Sequence, residues 1–129
     1  MKKITTLIIF LFLCSLGFSQ NGPKIEFKVK ENTLNYGVVY KNKDNGIRTF
    51  EFTNTGDAPL QIINLLSTSG FTFPTTPTNL VLPGKTGKID IKYNMVEGPI
   101  RKTITIESNA TNYEGGIVVL KIKGTVIAE

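Results

Sequence analysis

Residues 50–62 read FEFTNTGDAPLQI and residues 82–91 read LPGKTGKIDI, and together they decide the fold. Apolar residues alternate with polar ones in both stretches, which is the period of a half-buried β-strand. Turn formers separate the alternating runs, and they are Asn54, Gly56, Pro59, Pro83 and Gly84. Asn and Gly tolerate a positive φ, Pro59 stands at a strand start, and Pro83-Gly84 suits a type II turn. We therefore predict strands joined by tight structural turns.

The same period of two continues through most of the chain. Apolar runs occur at residues 25–29, 34–40, 47–52, 60–66, 71–73, 80–82, 89–93, 104–106 and 118–127. The 60–66 run suggests a bulge, and the residues Lys43-Asp44-Asn45-Gly46 suit a hairpin. Turns recur at the spacing typical of a sandwich, and no window has a helical stripe. We predict an all-β fold, an antiparallel immunoglobulin-like β-sandwich of about seven strands.

Residues 1–19 have the pattern of a secretory signal peptide. Lys2 and Lys3 precede an apolar run at residues 7–13, and small residues allow cleavage before Gln20. The run is too short for a confident membrane span. We predict a signal peptide at 1–19 and one sandwich domain at 20–129. The mature protein would be exported, periplasmic or extracellular, without a stable membrane anchor.

The formal net charge of +5 falls by two when Lys2 and Lys3 leave with the predicted leader. The remaining lysines alternate with apolar residues at 24–30 and 121–123. This is typical of solvated strand faces, where lysines also oppose aggregation of edge strands. Because no cluster of basic residues stands out in the sequence, we predict no nucleic-acid partner.

The inventory of catalytic residues is small. The chain has no histidine, and its one cysteine, Cys14, lies in the predicted leader. The common general base, cysteine nucleophiles and ordinary zinc or copper sites are therefore missing. We predict no catalytic residue, no cofactor and no metal site. A small hydrolase with a pair of carboxylates stays open as a remote alternative.

The segment 71–78 is the one candidate contact loop. It reads FTFPTTPT and contains Phe71, Phe73, Pro74 and Pro77. Loops of this kind often bind partners. Alternatively, Phe71 and Phe73 share one face of a strand and fill the core.

Four segments in this order resemble a known family. They are residues 52–62, 82–89 and 103–110, and the closing Gly124-Thr125-Val126. They are similar to the exported bacterial domain family of unknown function that belongs with the abnormal-spindle/hydin and major-sperm-protein-like immunoglobulin folds. The resemblance implies a seven-stranded sandwich, export, often from Gram-negative bacteria, and no established enzyme activity.

One motif of that family is altered. Many members carry Ser-Cys-Gly-Cys-Thr where this chain has Thr68-Ser69-Gly70-Phe71-Thr72. Ser69 and Phe71 stand where the cysteines would be. A thiol, redox or metal role of those members therefore does not transfer to this chain.

These observations favour a non-enzymatic exported module, a binding or structural protein of the cell envelope. The expected partner is another envelope protein or a glycan, and contact through an exposed edge strand is the expected mechanism. The alternative is a domain that binds carbohydrate or an envelope polymer. It would use Tyr40, Tyr93, Tyr113 or the loop at Phe71.

Overall fold

The computed structural model describes residues 22–75, 77 and 79–128, so the predicted leader lies outside the described residues. Short 3-10 turns cover Lys30–Asn32 and Glu114–Gly116. In the described part of the chain, no helix has the length and apolar character needed to cross a membrane. The strands are β1 (Ile25–Phe27), β2 (Thr33–Tyr40), β3 (Ile47–Asn54), β4 (Ile62–Ser67), β5 (Phe71–Thr72), β6 (Thr86–Tyr93), β7 (Gly98–Ser108) and β8 (Ile117–Ile127).

The strands form two four-stranded sheets that enclose the core. Sheet A has the order β1-β3-β6-β5, and sheet B has the order β2-β8-β7-β4. This arrangement confirms the predicted all-β sandwich. One pairing differs from the antiparallel prediction, because β2 and β8 run parallel. Most of the chain lies between β2 and β8 in the sequence. A connection of that length allows the two strands to pair in either direction, whereas a short turn would make them antiparallel.

The predicted hairpin at residues 43–46 is wrong, because β2 and β3 belong to different sheets. The local turn chemistry is present: Asp44 Oδ1 accepts from the Gly46 N–H at 2.7 Å, and Asn45 Oδ1 accepts from the Ile47 N–H at 2.9 Å. Gly46 has a φ of +79°. The same residues thus build a connection between sheets, which local turn signals do not distinguish from a hairpin.

Alternation places one face of each long strand in the core. Phe50 and Phe52 of β3 and Ile89 and Ile91 of β6 are fully buried, as the period of two predicts. The register of β4 against β7 shifts between Ile62 and Asn64, which confirms the bulge in this run. Sheet B contributes the other half of the core, chiefly Ile100, Ile104, Ile106, Val118, Leu120 and Ile122.

Asn54, at the end of β3, joins three segments of backbone. Its side chain is fully buried, and its Nδ2 donates to the carbonyls of Ala58 and Val81, both at 2.8 Å. Its Oδ1 accepts from the N–H groups of Gly56 at 2.9 Å and Lys24 at 3.3 Å. The amide therefore makes four hydrogen bonds, which is its full capacity.

The predicted turn at Pro83-Gly84 docks on the same residue. Gly84 has a φ of +81°, and the Lys85 N–H donates to the Leu82 carbonyl at 2.9 Å, as a type II turn requires. The Gly84 N–H donates to the Asn54 carbonyl at 2.8 Å. The two stretches of sequence that predicted the fold are thus bonded to each other.

Gly56 and Pro59 occupy the connection from β3 to β4. A Cβ on Gly56 would collide with the backbone of Gly22, so only glycine fits this close approach. Pro59 precedes Leu60, which forms an isolated bridge with Val81. The connection crosses from sheet A to sheet B, and this places β4 at the edge of sheet B.

Candidate binding surface

The segment 71–78 divides between core and surface, and its residues 76 and 78 lie outside the described part of the chain. Phe71 is 8% exposed, and its ring packs 4.9 Å from that of Tyr93. Phe73 is half-buried against the core, Pro77 is half-buried, and Pro74 is exposed. Phe71 therefore fills the core, whereas the later residues of the segment reach the surface.

Phe73 and Pro77 form one wall of a groove whose other wall is residues 61–65, which begin β4. The groove has a volume of about 430 Å³. We call it the β4 groove. Of the predicted contact residues, it contains Phe73 and Pro77 and leaves out Phe71 and Pro74.

The strand that lines this groove is an edge. Within the described residues, β4 pairs with β7 alone, so its other side has no strand beside it. Ile63 and Leu66 of β4 are large apolar residues with 63% and 46% of their surface exposed. The Leu65 N–H donates to the side chain of Asn64 at 3.0 Å. A partner strand would therefore contact the side chains of Ile63 and Leu66. On this edge it would compete with the local hydrogen bond between the Leu65 N–H and the Asn64 side chain.

The absence of charge distinguishes this stretch of the chain, and the neighbouring strand β7 places Glu107 opposite Asn64. Residues 58–84 contain no Asp, Glu, Lys or Arg, and they include the whole of β4 and β5. The outer face of sheet A is different: Lys28 and Glu51 form an ion pair at 3.1 Å, and Thr49 donates to Asp90 at 2.6 Å. Charges are a common protection of edge strands, and β4 has none.

The buried polar groups leave no reactive centre in the part of the chain that the structure describes. Asn54 and Ser108 are the buried polar residues, and every buried side-chain donor or acceptor there has a partner. Ser108 Oγ donates to the Gly116 carbonyl at 2.8 Å and accepts from the Ala110 N–H at 3.2 Å. No group of three or more potential metal ligands is found among the same residues.

The shifted pKa values belong to a structural cluster at the connection between β2 and β3. Asp44 accepts two hydrogen bonds from the Arg48 guanidinium, at 3.1 and 2.8 Å, and these lower the pKa of Asp44. Arg48 also lies 4.4 Å from the ring of Tyr36. Burial raises the pKa of Tyr36 to about 12, and its hydroxyl donates to the Gly46 carbonyl at 2.7 Å. The cluster fastens this connection to the core.

The aromatic residues named for carbohydrate binding are dispersed. Tyr93 is 3% exposed and contacts Phe71 in the core. Tyr113 is half-buried, and its hydroxyl accepts a hydrogen bond from Asn32. Tyr40 is 41% exposed, with the Lys43 ammonium 5.4 Å from its ring. These residues therefore form no shared exposed platform.

Sequence reasoning missed Ile63, Asn64 and Leu66 as surface residues of interest. Their alternation predicts a strand, but nothing local shows which strand becomes an edge. The uncharged stretch 58–84 was the available signal, because its lack of charge can be read directly from the sequence.

Solved structures with a similar fold come from distant proteins. A protein of unknown function from Porphyromonas gingivalis W83 superposes with a TM-score of 0.65 at 17% identity, over 81% of this chain and 47% of that one. The secreted serine protease VesC from Vibrio cholerae gives 0.57 at 20% identity, over 86% of this chain and 24% of that one. This chain thus spans about half of the first protein and a quarter of the second.

The ASH/PapD-like domain 7 of human CEP192 matches over most of both chains. Its TM-score is 0.59 at 12% identity, over 82% of this chain and 87% of that domain. At these identities the structural similarities show the fold alone. No curated protein matches the sequence. Residues 27–126 match the family model described as protein of unknown function (DUF1573). The chain therefore belongs to this family, and it has the immunoglobulin-like sandwich that PapD-like domains share.

Proposed function

We propose that this protein is an exported, non-enzymatic module that binds an extended, uncharged segment of another envelope protein along the free edge of β4. The observation that carries the proposal is an edge strand with no charged residue anywhere in the surrounding stretch 58–84. Natural sheets usually protect such an edge with lysine, proline, a bulge or a covering element, and β4 has the bulge at Ile62–Asn64 but neither lysine nor proline. An edge kept apolar and uncharged is suited to receive a strand.

The contacts available on β4 match the needs of an added strand. Main-chain hydrogen bonds to a sheet edge supply affinity, and pockets for alternate side chains supply specificity. Ile63 and Leu66 offer apolar surface, and the β4 groove beside Phe73 accepts a side chain of the partner. Each square ångström of apolar surface that the partner covers on Ile63, Leu66 and Phe73 contributes about 25 cal/mol of favourable free energy, before the entropy cost of association is subtracted.

Because residues 58–84 carry no charge, we expect the partner segment to be uncharged. A charged side chain entering the β4 groove would lose water and find no countercharge in residues 58–84. An uncharged segment with alternating apolar residues avoids this cost. Export is supported by the predicted leader at 1–19, and the absence of enzyme activity by a chain without histidine.

A defined peptide tests the proposal. The probe is a short synthetic peptide in which valine and threonine alternate, and the control peptide has lysine in place of each threonine. We expect calorimetry to detect saturable binding of the first peptide and none of the second. The variant Ile63→Lys/Leu66→Lys should lose this binding, because it places two cations at the edge.

A matched control comes from the opposite edge of the same sheet. Val38 on β2 is 62% exposed, close to the 63% of Ile63, so Val38→Lys is the control for a single lysine at the opposite edge, and Ile63→Lys alone is its match on β4. Val38→Lys should bind the peptide as the unaltered protein does. Equal binding by the β4 double variant, with its unfolding transition intact, would contradict the proposal. Failure of both peptides to bind would also contradict it.

A further inference from the structure

A second feature of the surface lies away from the β4 groove, on the outer face of sheet B. It is a depression of about 420 Å³ at the junction of β2, β7 and β8. Its polar side chains are Asn35, Arg101, Lys123 and Thr125. We call these four residues and the space between them the basic depression. Because β2 and β4 are opposite edges of sheet B, it is separate from the proposed peptide site.

Two cations face each other in this depression. Arg101 of β7 and Lys123 of β8 are directly paired across the antiparallel ladder, and both side chains are exposed. Like charges directly opposite on one sheet face repel and destabilise the pair. Among the described residues, ion pairs join Lys28 to Glu51, Lys41 to Glu97 and Arg48 to Asp44, and none involves Arg101 or Lys123. The repulsion is therefore not offset by a neighbouring carboxylate.

Further donors surround the two cations. Lys121 lies outside the depression, two residues before Lys123 on the same face and paired with Thr103, and adds to the positive charge nearby. Asn35 is the β2 partner of Lys123, and its Oδ1 accepts from the Gly37 N–H at 2.8 Å. This bond fixes the amide so that its Nδ2 is left as a donor. Together the groups supply positive charge and several N–H donors, with no carboxylate among the residues that line the depression.

The backbone makes the surface concave at this point. The register of β2 against β8 shifts between Asn35 and Val38, and Gly37 has a φ of +71°. Gly124 of β8 faces this shift, and a Cβ on it would lie 2.8 Å from the Cβ of Tyr36. Gly124 therefore lets the two strands approach closely at this shift, and Asn35, Arg101 and Lys123 line the depression beside it.

We propose that the basic depression binds a phosphate group. A tetrahedral phosphate has several acceptor oxygens, and a guanidinium can donate to two of them at once while lysine supplies a point charge. The amide of Asn35 and the hydroxyl of Thr125 complete a donor set of mixed geometry. The bound anion also screens the repulsion between Arg101 and Lys123. Free phosphate and the phosphate of a lipid headgroup share this chemistry.

Titration with inorganic phosphate at constant ionic strength tests the proposal. We expect saturable shifts of the backbone amide signals of Gly124 and Thr125 in NMR spectra. Arg101→Gln and Lys123→Gln should each weaken binding about tenfold or more, because each removes a charge-assisted hydrogen bond to the anion, which is stronger than a neutral one. Lys92→Gln is the matched control, since Lys92 is an exposed lysine on sheet A, paired with Ile47 and Thr72.

The unliganded protein provides a second readout. Without phosphate and at low salt, Arg101→Gln should raise the melting temperature, because it removes the like-charge pair. The same variant should lose the rise in melting temperature that phosphate gives the unaltered protein. Linear shifts that never saturate, or equal effects in Lys92→Gln, would show a general salt effect and overturn the proposal.

Vesicles distinguish the two sources of phosphate. The protein is sedimented with phosphatidylglycerol vesicles and with phosphatidylcholine vesicles, alongside the phosphate titration. Binding to the anionic vesicles that Arg101→Gln abolishes and Lys92→Gln retains would assign a lipid headgroup. Binding of inorganic phosphate alone would assign a soluble phosphate, and binding of neither would refute the site. Ile63→Lys/Leu66→Lys should bind phosphate normally, so failure at one site leaves the other unaffected.

Discussion

Replacing Asn54 by alanine is the most demanding perturbation of the fold. The side chain is fully buried and makes four hydrogen bonds, all to backbone groups. Alanine removes all four bonds, and of the four backbone groups the Val81 carbonyl keeps a second donor, the Leu60 N–H. The β3 end, the connection to β4 and the residues around Val81 would all lose their common anchor.

The expected loss of stability is the sum of the costs of losing the four hydrogen bonds of the Asn54 side chain. The bond to the Val81 carbonyl is buried, but that carbonyl also accepts from the Leu60 N–H at 2.9 Å, so the loss of the Asn54 bond costs about 0.5–1.5 kcal/mol. The other three are partly buried, where water replaces the lost partner, and each costs about 0.5–1.5 kcal/mol. Asn54→Ala should therefore lower the free energy of unfolding by about 2–6 kcal/mol, a large share of the roughly 5–15 kcal/mol typical of a domain.

Urea denaturation followed by far-UV circular dichroism measures this loss. Asn45→Ala is the control, because Asn45 is exposed and accepts one local hydrogen bond, and it should cost about 1 kcal/mol or less. Asn54→Asp keeps the acceptor but turns a carboxylate oxygen toward two carbonyls. Folding then favours the protonated acid, so this variant should gain stability as the pH falls. If Asn54→Ala loses no more than Asn45→Ala, the reasoning is refuted.

Three further substitutions probe packing, a buried hydroxyl and an ion pair. Gly87→Ala would place a Cβ 2.5 Å from Cζ of the fully buried Phe52. Thermal denaturation should therefore show a loss of about 1–3 kcal/mol in the free energy of unfolding. An unchanged melting temperature would contradict this. Tyr36→Phe removes one of two hydrogen bonds to the Gly46 carbonyl, which keeps the Tyr93 N–H at 3.0 Å, and should cost about 0.5–1.5 kcal/mol in urea. The depressed pKa of Asp44 means that its pair with Arg48 stabilises the fold above about pH 4 and is lost as the pH falls. Asp44→Asn should cost roughly 1 kcal/mol at pH 7 and flatten the acid limb of the stability profile, whereas an acid limb unchanged in slope would exclude the pair as its cause.

The strands were predictable because their signals are local. The alternation of apolar and polar residues predicted that Phe50 and Phe52 share one face. The pair Pro83-Gly84 predicted its turn from residue type alone. The Asn45-Gly46 turn was predicted correctly as a turn and wrongly as a hairpin. Its positive φ is a local property, but whether the next strand stays in the same sheet depends on the whole topology.

The binding surfaces were less accessible because they depend on contacts between distant parts of the chain. Phe73 lines a groove only because the segment after β5 returns to β4. Arg101 and Lys123 become a basic pair only through the register of β7 with β8. In the sequence these two residues are far apart and no basic cluster is visible, so the composition alone indicated solvated strands.

The central claim is that the edge of β4 receives a partner strand, and amide hydrogen exchange of the protein with the valine–threonine peptide tests it most directly. An added strand bonds to the outward-facing N–H groups of the strand beside it. We predict that the peptide slows exchange within Ile62–Ser67 and leaves exchange within Thr33–Tyr40, the opposite edge, unchanged. Slowing along β2 instead, or unchanged exchange along β4 at saturating peptide, would contradict the account.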